Sequence, residues 1–183
     1  MSSYRPQQRV IPARVLTPNG WLRGSIHLPR FHSVIEFLAQ GSPYLTLTGV
    51  ATAGREELPF VAIRRSAALL VLPCCDERQL LLAATPGARH RRVVCVLPCG
   101  AVTATVAIES PLRLSDWLSC QESFFAVRDV DLGPAGTRAP LALVNAGALL
   151  SVAELPAEAQ PSAEVVPLRQ GGAPAQGRLT HPA

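Results

Sequence analysis

The sequence predicts a mainly β fold with helices, of the α+β class, in which two small antiparallel barrel-like repeats are followed by a disordered tail. Three observations predict this fold. The chain matches itself without a gap at a shift of 80 residues, short segments in each copy alternate apolar and polar residues, and turn residues such as Asn19-Gly20 separate those segments. Alternation with a period of two is typical of a half-buried strand, and Asn-Gly favours a tight hairpin.

The internal repeat aligns residues 15–50 with residues 95–130. After a slip of one residue between Ala51 and Pro59, the match resumes with residues 60–71 over residues 141–152. Two copies with so long a period indicate paired domains, not a solenoid of many short repeats. The identical pairs include Pro18 with Pro98, Gly20 with Gly100, Leu38 with Leu118, and Val50 with Val130.

Each copy begins with a predicted hairpin. A strand at 13–17 leads through Asn19-Gly20 to a return strand that carries Ile26 and Leu28 on its apolar face. The second copy repeats this pattern, with a strand at 93–97, a turn at Cys99-Gly100, and Val106 and Ile108 on the apolar face of the return strand.

A short helix and three further strands complete each copy, which is therefore β-β-α-β-β-β. The helix of the first copy is predicted over 31–40, and in the second copy Ser110 is a suitable N-cap with Pro111 at the first helical position. Five short antiparallel strands can curl into a small barrel. The remaining strands are predicted at 44–50, 60–64 and 67–72, and at 124–130, 141–144 and 148–153.

These elements divide the chain into five segments. No apolar run reaches the roughly 18 residues of a membrane helix, and no secretory pattern follows Met1, so a cytoplasmic protein without membrane insertion is expected. The segments are an N-terminal arm at 1–12, the first repeat at 13–75, a linker helix (76–84) and basic loop within 76–92, the second repeat at 93–154, and a disordered tail rich in Pro, Ala and Gly at 155–183.

Arginine supplies all 17 basic residues, and the formal net charge is +4. Guanidinium groups bind phosphates as planar bidentate donors, whereas a GC-rich coding bias explains the same composition without any ligand. Trp21, beside the first turn, matches Ala101 and is a candidate anchor for a partner. The arginines available to a nucleic acid are Arg64, Arg65, Arg89, Arg91 and Arg92, with Arg5 and Arg9 in the arm.

The five cysteines admit two interpretations. They are either buried small hydrophobic side chains or, for Cys74, Cys75, Cys95 and Cys99, zinc ligands. Structural zinc usually takes pairs of ligands with a spacer, which Cys74-Cys75 lacks, so no metal is predicted. The chain also lacks a Gly-rich phosphate loop, His-Glu-x-x-His and a nucleophile elbow. We therefore predict no enzymatic activity, no catalytic residue and no cofactor.

Three segments of the first copy resemble a known family in their order: the turn and strand NGWLRG at 19–24, the strand YLTLTGV at 44–50 and the turn AIRRS at 62–66. They resemble the Sm-like small barrels. The resemblance implies a barrel that assembles into rings and binds RNA at its loops. The predicted helix replaces the Asp/Asn loop of that family, and Arg64-Arg65-Ser66 and Asn145-Ala146-Gly147 stand in place of its Arg-Gly turn.

A second resemblance lies near the N-terminus. Arg5 and Arg9 form Arg-x-x-x-Arg, and Asn19 and Gly24 follow with Trp21 between them. This order is similar to the motifs of PilZ barrels, in which a serine stands in place of the tryptophan. The resemblance implies a cyclic-dinucleotide sensor in which the two arginines clamp phosphates.

The leading hypothesis is a non-enzymatic protein-interaction module, a scaffold or adaptor, that binds a protein partner or further copies of itself. The charged share is only 16%, and apolar strands such as 67–72 suggest more apolar surface than a monomer buries. RNA binding through the arginine-rich loops is the alternative, and cyclic-dinucleotide sensing is the third hypothesis.

Overall fold

The computed structural model describes residues 8–40, 42–52, 55–74, 87–133 and 138–156. The prediction of a mainly β protein with few helices is confirmed. The α-helices are α1 (Val34–Ala39) and α2 (Leu114–Ser119), and short 3-10 helices occupy Arg65–Ala67 and Ala146–Ala148. The strands are β1 (Gln8–Thr17), β2 (Gly20–Pro29), β3 (Tyr44–Thr52), β4 (Arg55–Arg64), β5 (Leu70–Pro73), β6 (Ala88–Leu97), β7 (Gly100–Glu109), β8 (Phe124–Asp131), β9 (Arg138–Asn145) and β10 (Ser151–Glu154).

All ten strands form one antiparallel sheet in the order β10-β6-β7-β8-β9-β5-β1-β2-β3-β4. The same five-strand arrangement occurs twice, because β6 to β10 are ordered among themselves as β1 to β5 are. We call β1 to β5 with α1 the first block, and β6 to β10 with α2 the second block. The closed barrels that the sequence predicts are not confirmed. Closing the first block would require β4 to meet β5, but β5 pairs with β9 instead.

The two blocks meet where β5 pairs with β9. Leu70 lies opposite Val144, and Val71 lies opposite Leu143. Neighbouring residues of a strand point to opposite faces of the sheet. As a result, Val71 packs in the core of the first block, whereas Leu70 packs in the core of the second. We call this contact the junction.

Each block has its own hydrophobic core, and the two cores exchange side chains at the junction. The first core includes Phe124 and Leu143 of the second block. The second core includes Leu16, Leu69 and Leu70 of the first block. Burying one such side chain contributes about 1.5–3 kcal/mol, so the exchange makes the two blocks depend on each other for stability.

The predicted hairpins are present at the start of both blocks. β1 pairs with β2 up to Thr17 opposite Gly20, and β6 pairs with β7 up to Leu97 opposite Gly100. Gly20 and Gly100 have φ values of 109° and 140°, which residues with a side chain rarely adopt. The glycine that the repeat predicts in each turn is therefore the residue that the backbone conformation of the turn requires.

The second strand of each block is bent at the same place. The pairing of β2 with β3 shifts between Arg23 and Ser25, and the pairing of β7 with β8 shifts between Thr103 and Thr105. A β-bulge bends a strand and increases its twist. These bends let the single sheet layer of each block curve around the core of that block.

A capping box starts helix α1. The Ser33 hydroxyl accepts a hydrogen bond from the Glu36 amide at 3.2 Å, and the Glu36 carboxylate accepts one from the Ser33 amide at 2.8 Å. The bond from the Ser33 amide, together with a second bond that the Ser33 hydroxyl donates to the carboxylate at 2.8 Å, lowers the pKa of Glu36. The helix occupies Val34–Ala39, so it is shorter than the predicted span of 31–40.

The predicted start of α2 is wrong. Its N-cap is Arg113, not Ser110, and Pro111 lies before the helix. The reason is a turn that uses these residues first: the Leu112 amide donates to the Glu109 carbonyl at 2.9 Å. A Ser-Pro pair suits a turn as well as a helix start, and the local sequence does not distinguish the two.

Several predicted boundaries differ from the observed strands. β4 and β9 begin earlier than predicted, at Arg55 and Arg138, and β5 and β10 begin three residues later than predicted, at Leu70 and Ser151. β1 begins at Gln8, inside the predicted N-terminal arm, and β6 begins at Ala88, inside the predicted basic loop. The predicted linker helix at 76–84 and all but the start of the predicted tail lie outside the described residues. Among the residues that are described, no helix has the length and apolarity needed to cross a membrane.

Candidate functional site

The outer edge of β4 exposes several apolar side chains. On β4, Phe60 shares a face of the sheet with Tyr44, because Tyr44 lies opposite Arg64. Leu58 lies two residues before Phe60, opposite the buried Val50. All three apolar side chains are exposed. The other face of β4 carries Ile63, which is buried in the first core. We call Tyr44, Leu58 and Phe60, with the backbone of β4, the β4 edge.

Pro59 divides the β4 edge into two parts. Proline has no backbone N–H to donate to a neighbouring strand. Opposite Pro59, on β3, lies Gly49, whose φ is 57°. Residues 60–64 follow this interruption without a further proline. An edge segment with unpaired N–H and C=O groups is a template for a strand of another chain. The length of this segment suits a short added strand.

The opposite end of the sheet is formed by β10. Leu150, just before β10, is exposed, and Val152 on β10 is only half-buried. Within the described ranges, β10 pairs only with β6, so its other side is open. We call Leu150 and Val152, with the backbone of β10, the β10 edge.

The structure gives different environments to the adjacent candidates Arg64 and Arg65. The guanidinium of Arg65 donates to the Leu38 carbonyl, and to those of Phe37 and Gln40 at 3.4 Å each. It thereby satisfies carbonyl groups at the end of α1 that have no partner within the helix. Burial lowers the pKa of Arg65. Arg64, in contrast, is exposed at the end of β4.

Three further candidate arginines lie on a strand, not in the loop that the sequence predicts. Arg89, Arg91 and Arg92 belong to β6. Arg91 forms an ion pair with Glu154 of β10, at 2.7 Å between Nη1 and Oε1. This contact ties β6 to the open strand β10. β6 and β4 stand near opposite ends of the strand order, so the sheet does not place these arginines beside Arg64.

The arginines of the predicted N-terminal clamp are only partly described. Arg9 lies on β1 and donates to the carbonyl oxygen of His32 at 2.9 Å. Arg5 lies outside the described residues. The candidate arginines that are described lie on or beside three different strands, β1, β4 and β6. RNA binding and cyclic-dinucleotide binding therefore stay predictions.

Trp21 is half-buried on β2 and packs against the second core. The guanidinium carbon of Arg14 is 4.7 Å from the centroid of its ring, which is the distance of a cation–π contact. Trp21 also lines an open groove of about 670 Å³, together with Ala62 and Ile63 of β4. The predicted aromatic anchor therefore lies between the second core on one side and the groove beside β4 on the other.

The cysteines of the zinc hypothesis do not come together. Cys95 lies on β6 in the second core, whereas Cys74 and Cys99 are exposed, and Cys75 lies outside the described residues. No group of three His, Cys, Asp or Glu side chains with metal-binding geometry occurs in the part of the chain that the structure describes. Burial raises the pKa of Cys95 to about 11, so its thiol is protonated at neutral pH.

We expect a variant that retains only Cys95 to react much more slowly with a water-soluble disulfide reagent than a variant that retains only Cys99. The thiolate is the reactive form, and a pKa of about 11 leaves roughly one thiol in ten thousand ionised at pH 7. The measurement is the rate of thiol release from the reagent. Equal rates in denaturant serve as the control, and equal rates in the folded state would contradict the burial of Cys95.

Asn145 is a buried polar residue whose role the sequence does not reveal. Its side-chain amide crosses the junction and donates to the carbonyls of Ala68 at 2.9 Å and Arg65 at 3.2 Å. Its side-chain oxygen accepts from the Gly147 amide at 3.0 Å. The only signal in the sequence is that an asparagine ends an apolar strand where the first block has Arg64.

The fold and the site define a mainly β protein in which the sheet of the described strands ends in two apolar edges, each unpaired on its outer side within the described residues. Comparisons of the chain with models of protein families, with curated proteins and with solved structures find no significant match. The resemblances to Sm-like and PilZ barrels therefore stay predictions, and the function is argued from the two edges themselves.

Proposed function

We propose that this chain is a non-enzymatic protein-interaction module, a scaffold or adaptor that binds partners through the edges of its sheet. The observation that carries the proposal is the combination of unpaired backbone with exposed large apolar side chains, Phe60 at the β4 edge and Leu150 at the β10 edge. Exposed apolar patches usually mark interaction sites, and an open strand edge can accept an extended segment of another protein.

The proposal includes a duplicated barrel-like unit, whose sheet is not closed among the described strands. Its support is the shared strand order, the bends at equivalent places, and the left-handed backbone at both Gly49 and Asp129, which differ by the shift of 80. A single unit has two unlike edges, formed by its fourth and fifth strands. Where the two units join, β5 of the first unit and β9 of the second unit cover each other. The remaining two edges, at β4 and β10, are the proposed binding surfaces. We place the protein in the cytoplasm, which suits the free thiols of Cys74, Cys99 and Cys120.

The chemistry of the edges defines what they recognise. A partner strand would supply main-chain hydrogen bonds to β4 or β10, and these bonds are independent of its sequence. Specificity would come from apolar side chains that cover Phe60 and Tyr44, or Leu150 and Val152. Pro59 restricts the accessible part of β4, so the segment bound there is short.

A quantitative pull-down from an extract of the native host tests the proposed function. The double variant Phe60→Lys, Leu150→Lys is expected to retain its partner proteins about 30-fold less than wild type, because a buried apolar anchor contributes about 2 kcal/mol to binding. Retained proteins, including further copies of the chain, are measured by mass spectrometry.

Phe31→Lys is the matched control, since Phe31 is an exposed aromatic residue in the loop before α1 and belongs to neither edge. It is expected to retain the same proteins as wild type. If the double variant also retains them at the wild-type level, or if wild type retains nothing, the proposed function is wrong.

A further inference from the structure

The two free edges are the counterparts of the two strands that pair at the junction. At a shift of 81 residues β4 corresponds to β9, and Pro59 corresponds to Pro140. β10 corresponds to β5, and both have four residues. The molecule therefore pairs the outer sides of β5 and β9 with each other at the junction, whereas the outer sides of β4 and β10 pair with none of the described strands.

Apolar side chains that are buried at the junction have exposed apolar counterparts at the free edges. Leu69, just before β5, is 2% exposed, and its counterpart Leu150 is 68% exposed. Leu141 of β9 is 2% exposed, and its counterpart Phe60 is 57% exposed. The free edges thus keep the kind of side chain that the junction buries, without the neighbour that would bury it.

The helices show the same difference between a covered and an uncovered block. Helix α1 lies against the start of β8, where the Ser123 hydroxyl donates to the Leu38 carbonyl at 3.2 Å, and it buries Val34 and Leu38. Its counterpart α2 buries none of its residues. On the other side of the same contact, Phe124 of β8 is buried in the first core, whereas its counterpart Tyr44 is exposed.

The grooves beside the two hairpin turns differ in the same way. Between the two blocks lies a cavity of about 310 Å³. One wall is formed by residues 99–102 and Leu132 of the second block, and the other wall is the first hairpin turn. Their counterparts, residues 19–22 and Thr52, line the larger groove of about 670 Å³ beside β4, which has no wall from the second block. In the cavity between the blocks, the first hairpin turn forms the wall that the groove beside β4 lacks. The counterpart of that turn in the second block is the hairpin turn between β6 and β7.

We propose that a second copy of this chain docks head to tail, with its β10 added antiparallel to β4 of the first copy. The inference rests on the proposed function, because it names the occupant of the same edges. The register of the junction, shifted by 81 residues, places Ser151 opposite Ile63 and Val152 opposite Ala62. The hairpin turn of the docked second block then faces Trp21 across the groove, and its helix α2 covers Tyr44.

This contact joins two unlike edges and therefore does not end with a dimer. Each added copy covers one β4 edge and one β10 edge and leaves one of each free. Head-to-tail contacts of this kind continue until a ring closes, or they produce a filament. The wild-type protein is therefore expected to form assemblies larger than two copies.

Two variants, each with one blocked edge, test the head-to-tail contact. Leu150→Lys blocks the β10 edge, and Phe60→Lys blocks the β4 edge. Size exclusion with light scattering is expected to give 19.5 kDa for each variant alone and twice that mass for their equimolar mixture, since the mixture restores one intact pair of edges. Wild type and the control Phe31→Lys are expected to give the same larger multiple of 19.5 kDa.

A wild-type monomer at every concentration, a mixture that stays at monomer mass, or single variants that keep the wild-type mass would each overturn the head-to-tail proposal. If wild type is monomeric but the pull-down still recovers another protein that the double variant releases, the proposed function holds and only the identity of the occupant is wrong. Circular dichroism and thermal melting check that each variant folds, and Leu150→Ser and Phe60→Ser replace any variant that does not.

Discussion

Leu143→Ala is expected to lower the free energy of unfolding by about 3 kcal/mol. Leu143 lies on β9 of the second block, yet it is fully buried in the core of the first block. Truncation removes buried methyl groups and leaves a cavity that the surrounding strands fill only in part. Because each core contains side chains of both blocks, the described sheet is expected to unfold in one transition, displaced to lower denaturant.

Urea unfolding followed by circular dichroism measures this loss. The control is Leu112→Ala, which makes the same chemical change at a partly exposed position before α2 and is expected to cost about 0.5 kcal/mol. A loss for Leu143→Ala no larger than that of the control, or two separate transitions in the wild-type protein, would contradict a core shared across the junction.

Asn145→Asp is expected to cost about 3 kcal/mol or more at neutral pH. In wild type, the side-chain amide donates to the carbonyls of Ala68 and Arg65 across the junction. The substitution replaces that donor with a carboxylate oxygen that faces the same two carbonyl oxygens. An unpaired charge in this position is far more costly than the loss of a neutral hydrogen bond, because it is both desolvated and repelled.

The cost of Asn145→Asp is expected to depend on pH. Burial beside carbonyl oxygens raises the pKa of the new carboxyl group above its unfolded value of about 3.9. The folded variant then binds its proton more tightly than the unfolded chain, so its stability increases as pH falls through the raised pKa and is lowest above it. The protonated carboxyl again supplies a donor to the carbonyls.

The measurement is the urea midpoint of wild type and variants at pH 7 and at about pH 4, where a carboxyl of raised pKa is largely protonated. Asn145→Ala is the control: it removes the donor without adding a charge, and it is expected to lose about 2 kcal/mol at both pH values. A loss for Asn145→Asp that is the same at both pH values, or that equals the loss for Asn145→Ala at pH 7, would show that the position is hydrated instead of buried.

Local features of this protein could be predicted from its sequence. The turns at Gly20 and Gly100 were predictable because a turn of this kind needs a backbone conformation that glycine adopts at little cost. The apolar faces of β2 and β7 were predictable because side chains alternate along a strand. The start of α2 was not, since Ser110 and Pro111 suit a turn and a helix equally well.

The candidate site required the tertiary structure. Arg64 and Arg65 are adjacent in the sequence, but their environments differ because Arg65 turns toward the end of α1. Likewise, nothing local distinguishes Phe60 from Leu141, which has the same place in the other copy. Their exposure differs only because β9 has β5 beside it and β4 has no described strand on its outer side.

By itself, the sequence determined the order of the elements, the faces of the strands and the correspondence between the two halves, because all three depend on short-range periodicity and on turn chemistry. Only the tertiary structure decided that β5 pairs with β9 and not with β4, and hence that the sheet stays open. The physical reason is that an apolar strand such as β5 can pair with any complementary edge. The choice among edges is made by the packing of side chains far apart in the chain, such as Leu143 against the first core and Asn145 across the junction.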